Sequence, residues 1–218
     1  MTKTLVRSGI GAGALGVVVL SLGLVLNNQA NFSDNYVREQ LLERKINFVP
    51  VERLTDEQKA VPCMVKNAGK RLETAKQAEC YAKHQIGYDM TKIDGGRGYS
   101  ETNYEAFQLR TQAAAAQKAN PDDPATKALV QKSAEMNGKA NSMLAGETVK
   151  GLLLTAYGFG LLGERGGQAA MASFGIAGAS LVAMVVLFAV AAVRSRRARS
   201  LTAADNDLLD DREPVPVR

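Results

Sequence analysis

Hydrophobic positions along this chain gather into two long charge-free runs, with a polar middle between them. The first, residues 8–26 (SGIGAGALGVVVLSLGLVL), is nineteen residues long; the second, residues 169–193 (AAMASFGIAGASLVAMVVLFAVAAV), is twenty-five. At about 1.5 Å per residue, roughly 20 apolar residues in a helix cross a hydrocarbon core about 30 Å thick. The runs predict transmembrane helices over 8–27 and 169–193. The second exceeds the minimum and has room to tilt. A third apolar stretch lies within GETVKGLLLTAYGFGLLGERGG. Its envelope, 151–163, reaches only about 20 Å as a helix. It also abuts Glu164 and Arg165, which are costly at mid-bilayer. The pattern predicts a membrane-proximal helix, apolar all round and in need of a cover. It either prolongs the second membrane helix outward or lies in the outer headgroup region, with Tyr157 and Phe159 at the interface. Gly158, Gly160, Gly163, Gly166 and Gly167 would allow a bend there.

The polar middle reads as helix throughout. In NFSDNYVREQLLERKIN (31–47), Ser33 and Asp34 are candidate caps, and Val37, Leu41, Leu42 and Ile46 fall on one side, as an amphipathic helix requires. This segment is expected to continue the first span with little break. Pro50 and Pro62 mark a connector, with room for a turn of helix at 55–59. Helices are predicted over 70–88 and 101–119, separated by the turn KIDGGRGYSETN. NPDDPATKALV stops one helix at Pro121 and restarts the next, with Asp123 as cap and Pro124 in the favoured first position. Asn137, Gly138 and Gly146 are possible interruptions of that last helix. No run shows strand alternation or hairpin chemistry. The predicted fold class is all-α: two transmembrane helices joined by a small extracytoplasmic helical domain, residues 28–168.

Charge orients this arrangement. Lys3 and Arg7 precede the first span, within residues 1–7, and Arg194, Arg196, Arg197 and Arg199 follow the second. Basic residues near span ends favour the cytoplasmic side, so both termini are expected inside a plasma membrane. The arginine cluster is a candidate cytoplasmic membrane-surface anchor, suited to anionic headgroups or acting simply as a stop-transfer signal. A cleaved signal peptide is the competing reading of the first run, but its apolar core is longer than the usual 7–15 residues. The net charge of +5 does not imply a nucleic-acid surface. Residues 28–168 hold 19 Lys and Arg against 17 Asp and Glu, spread along the chain. Residues 194–218 run from basic to acidic to proline-containing and read as a flexible cytoplasmic tail.

Candidate chemistry is sparse. Cys63 and Cys80 are the only cysteines, and both fall in the external segment. An even pair in an oxidising compartment predicts one structural disulfide. His84 is the only histidine, which excludes a multi-histidine metal site within one chain. GGRG (95–98) lacks the strand before it and the Gly-Lys-Ser/Thr ending of a phosphate loop. Asp89, Asp94 and Glu101 follow no calcium-loop spacing. Gly9-xxx-Gly13, Ala12-xxx-Gly16 and Gly175-xxx-Ala179 permit close packing, of the two spans on each other or of two copies, and leave the oligomeric state open.

The stretches YVREQLLERKINF (36–48), CYAKHQI (80–86), GGRGYSE (95–101) and GETVKGLLLTAYGF (146–159), in this order between two spans, resemble a group of uncharacterised two-span membrane proteins of actinobacteria. The resemblance covers most of residues 8–193. It implies a helical extracytoplasmic segment and a bacterial plasma membrane, and carries no catalytic residue to any position. Some of those relatives bear the label of aromatic ring-opening dioxygenases. That chemistry needs a metal site, and His84 alone does not supply one. The expectation is a non-enzymatic membrane protein without a cofactor, whose partners are the lipid bilayer and other membrane proteins. A second reading is an accessory subunit of a respiratory or transport complex. The expected interaction face is Leu152, Leu153, Tyr157 and Phe159.

Overall fold

The computed structural model describes residues 2–210, with side chains described for 3–200. The fold is all-α. Helix α1 (Thr2–Glu43) is followed by a 3₁₀ turn (Val51–Arg53), α2 (Asp56–Lys59), α3 (Pro62–Asn67) and α4 (Ala75–Cys80). A π-helical stretch (Tyr81–Ile86) then leads into α5 (Gly87–Ile93), α6 (Tyr99–Ala119) and α7 (Pro124–Asp210). Residues 194–210, expected in the flexible tail, are helical as part of α7; the rest of the tail, 211–218, lies outside the described residues. Among the described residues two helices are long and apolar enough to cross a membrane, Lys3–Glu43 and Pro124–Ser200. The chain divides into two compact units: Asn31–Glu164, and the residues flanking it on both sides.

In the flanking unit, α1 and α7 meet along a seam of small residues. A Cβ on Gly9 would touch Phe188 and Leu187, one on Gly16 would touch Ser180 and Leu181, and one on Gly23 would come within 2.8 Å of the Phe174 ring. A Cβ on Gly13 would overlap the Met184 sulfur. Ala170, Ser173 and Ala177 are the buried positions facing this seam from α7. Large aliphatic side chains point the other way, with Val18 65% and Val182 64% exposed.

Asn31–Glu164 packs around Val37 and Leu41 of α1, Phe48, Leu54, Met64, Leu72, Ala78, Cys80, Ala82 and Leu153 of α7. Short elements assemble this core, and local signals set their ends. Thr55 and Thr74 each form a capping box, with Gln58 and Gln77 three residues on. Pro62 opens α3 at its first turn. Cys63 and Cys80 are joined, with their Cα atoms 6.1 Å apart, tying α3 to α4. A second cluster, Ala106, Leu109, Met136 and Ala140, zips α6 to the start of α7.

Several sequence expectations are corrected here. Ser33 and Asp34 do not cap a new helix, because α1 runs through them; the Ser33 hydroxyl instead donates to the Phe159 carbonyl at 2.8 Å. Residues 70–74 are extended rather than helical. The Phe48 amide donates to the Lys70 carbonyl at 2.9 Å, and the Leu72 amide to the Ile46 carbonyl at 2.9 Å, around a single bridge between Asn47 and Arg71. These bonds satisfy backbone groups that a helix would have used internally. Asn137, Gly138 and Gly146 do not interrupt α7. Asn137 donates back to the Ser133 carbonyl at 2.9 Å, and a Cβ on Gly146 would come within 3.0 Å of Met90 of α5.

Gly160 marks a closer approach. A Cβ there would collide with the Cβ of Ala75, which the Thr74 capping box fixes at the start of α4. Gly160→Val is therefore expected to destabilise this unit by about 1–3 kcal/mol. Gly158→Ala, where an added Cβ meets nothing within 4 Å, should instead gain up to about 1 kcal/mol of helix propensity. Chemical denaturation of the two variants, followed by amide exchange in α4, separates these effects.

Candidate functional site

The periodicity of two helices builds a groove within Asn31–Glu164. From α1 and the residues after it come Tyr36, Val37, Gln40, Leu41, Arg44 and Ile46. From α7 come Val149, Leu152, Leu153, Thr155, Ala156 and Phe159. Spacings of three and four residues keep each set on one helical side. The groove encloses about 390 Å³. Its floor is core: Val37, Leu41 and Leu153 are buried, Leu153 to 4% exposure. Its rim is open, with Leu152 59% and Phe159 55% exposed. The Ser33–Phe159 hydrogen bond fixes the register of the two walls at one end. There the Tyr36 ring stacks on Phe32 with centroids 5.8 Å apart.

Of the four residues expected to form an interaction face, Leu152, Leu153 and Phe159 line this groove and Tyr157 does not. Leu153 serves both the core and the groove floor. Arg44, Gln40 and Tyr36 complete the lining and were not legible as site residues, because an amphipathic helix pattern shows which side is apolar and not what faces it. Arg44 is the only ionisable side chain in the lining besides the Tyr36 phenol. Among the described residues its guanidinium makes no ion pair or side-chain hydrogen bond. The Thr155 hydroxyl is already committed, donating to the Gly151 carbonyl at 3.0 Å.

A second, shallower depression of about 360 Å³ is bordered by Glu57, Gln58, Val61, Lys83, His84 and Tyr88, among others. His84 is half-buried in the π-helical stretch, and its backbone carbonyl accepts from the Gln58 amide at 3.4 Å. Charges of both signs border this depression, so it has no net preference for an anion or a cation. Among the described residues no group of three or more His, Cys, Asp or Glu side chains converges. The cytoplasmic-anchor candidates Arg194, Arg196, Arg197 and Arg199 all lie on α7, outside Asn31–Glu164.

The acidic residues singled out in the sequence have structural partners. Asp89 accepts from the Gln85 amide at 3.1 Å, and Glu101 accepts from the Gly98 amide at the start of α6. Asp94 is nearly enclosed. It accepts from the Thr102 hydroxyl at 2.7 Å and pairs with Arg97 at 2.7 Å and Lys139 at 3.8 Å. Gly95 and Gly96, at φ 64° and 88°, make the turn that places Arg97 against it. The Thr102 hydroxyl first, then Arg97, hold the Asp94 carboxyl below its ordinary pKa of 3.8. A carboxyl with a lowered folded pKa contributes stability above its unfolded value and loses it as pH falls through the folded one. Asp94→Asn should therefore loosen the α5–α6 corner at neutral pH. The difference from the native chain should begin to shrink as pH drops below 3.8 and vanish once the folded carboxyl itself is protonated. Amide exchange across α5 and α6 between neutral and acid pH measures it; an equal difference at all pH values would assign Asp94 a packing role only.

No protein-family profile matches the chain, and no curated protein and no solved structure is significantly similar to it.

Proposed function

We propose that this protein is a non-enzymatic, two-span plasma-membrane protein whose external helical domain, Asn31–Glu164, mediates an interaction. The observation that carries the reading is the inverted packing of the flanking unit. Its seam sets Gly9, Gly13, Gly16 and Gly23 of α1 against Phe188, Met184, Ser180 and Phe174 of α7, with Ala170 and Ala177 buried, while Val18, Leu22, Val182 and Val185 face outward. A water-soluble helical pair buries its large aliphatics; a pair in lipid gains nothing by that and packs through small residues. The basic residues Lys3, Arg7 and Arg194 to Arg199 then favour cytoplasmic termini and an external middle. Alkaline carbonate extraction of membranes is the test. The proposal expects the full chain to remain in the membrane pellet; release into the supernatant overturns it.

A second reading, an accessory subunit of a larger membrane complex, is favoured by the exposed apolar side chains Leu152, Phe159 and Leu162 on α7. Purification in mild detergent separates the two. A fixed stoichiometric complex supports the subunit; recovery of the chain alone, or only of copies of itself, supports the independent protein.

A further inference from the structure

The groove of Asn31–Glu164 has a chemical polarity. Its long walls are aliphatic and aromatic, and its one cation, Arg44, stands toward the end opposite Phe159. Arg44 directly follows the last residue of α1, eight residues beyond Tyr36, so the two ends are separated by about 12 Å. No carboxylate lines the groove, and Arg44 has no ion-pair partner among the described residues. A guanidinium left free beside an apolar channel matches a planar anion carried on an apolar body, which it can hold through two parallel hydrogen bonds.

We propose that this groove binds a single acyl chain with a carboxylate head, a free fatty acid. The chain lies along Val37, Leu41, Leu152 and Phe159, and the carboxylate sits at Arg44. The volume of 390 Å³ is at the lower end of the roughly 300–1,000 Å³ of small-molecule pockets, which suits one chain rather than the two of a membrane diacyl lipid. Gln40 stands one turn before Arg44 and offers an amide donor to the same head. A neutral alcohol of equal length would fill the walls and leave Arg44 without a partner. The proposal gives a chemical identity to the interaction suggested above. It rests on the groove alone, so an error in membrane sidedness would leave it standing.

The test uses the purified full chain in phosphatidylcholine nanodiscs, with palmitate carrying a photoreactive diazirine in mid-chain. After irradiation, peptide mapping should find adducts in the segments holding Tyr36 to Arg44 and Val149 to Phe159. Unlabelled palmitate should compete, and hexadecanol should not. Arg44→Gln should raise the half-saturating palmitate concentration by about tenfold or more, with the thermal unfolding midpoint unchanged. Leu152→Asp, at an exposed rim position, should abolish groove labelling in a chain that still folds. Adducts confined to the apolar runs 8–26 and 169–193 would mean simple partition into the bilayer and would overturn the proposal. So would equal competition by hexadecanol with no effect of Arg44→Gln. A phospholipid, a second copy or another polypeptide found cross-linked in the groove would overturn it as well.

Discussion

Leu153→Asp is expected to cost the Asn31–Glu164 unit more than about 4 kcal/mol and to abolish its packed structure under mild conditions. Leu153 belongs to the same buried cluster as Val37, Leu41, Phe48 and Met64. Removing a buried leucine side chain alone costs about 2–5 kcal/mol, and a carboxylate placed there adds the penalty of an unpaired charge. Two controls give the number its meaning. Leu152→Asp, one residue away but exposed, should leave the fold intact. Gln117→Asp, on the solvent side of α6, should stay within about 0.5 kcal/mol of the native chain. Limited proteolysis and amide exchange of the three variants in nanodiscs provide the comparison. If Leu153→Asp behaves like Leu152→Asp, α7 does not supply the floor of this core.

Removing the Cys63–Cys80 link should lower stability by about 2–4 kcal/mol. The bond closes a loop between residues 17 apart, and a closed loop of about 15 residues corresponds to roughly 3 kcal/mol in the chain-entropy account. Its surroundings make that contribution matter. Helices α2, α3 and α4 have four, six and six residues, well short of the roughly 12–15 at which isolated helices become even marginal in water. Their positions therefore depend on tertiary bonds such as the Gln77 side chain to the Asn67 side chain and the Gln58 side chain to the His84 carbonyl. Because Cys80 is buried among apolar neighbours, Ala should be tolerated there better than Ser. Denaturation of the double Cys→Ala variant, beside non-reducing peptide mapping of the native chain, measures both claims. Free alkylation of both thiols in unreduced native protein would contradict the bond itself.

The features legible from sequence were those that local chemistry determines. The apolar runs marked α1 and α7, the Pro124 restart and the Gly95–Gly96 turn fell where expected, and Cys63 and Cys80 paired. What sequence could not show was which surface lies opposite each residue. Glycine has a low helix propensity, so Gly146 and Gly160 read as weak points. In the structure they are where Met90 of α5 and Ala75 of α4 pack against α7 with no room for a Cβ, a contact set against the roughly 1 kcal/mol that each glycine costs the helix. Ser33 likewise has the chemistry of a cap, yet its hydroxyl finds the Phe159 carbonyl across the groove instead. The Thr74–Gln77 capping box is a readable start signal for α4. For the groove, the apolar wall of α7 was visible as Leu152 and Phe159. Arg44 was one basic residue among many until α7 placed an apolar wall beside it.

The account turns on the sidedness of Asn31–Glu164, and site-directed labelling in intact cells tests that most directly. Single cysteines at Lys118, exposed on α6, and at Ser200, after the arginine cluster, would be introduced in a background with Cys63 and Cys80 replaced by alanine. A membrane-impermeant maleimide is expected to label the cysteine at 118 from outside and to reach the one at 200 only after the membrane is opened. Labelling at 200 in sealed cells, with protection at 118, would contradict the proposed topology.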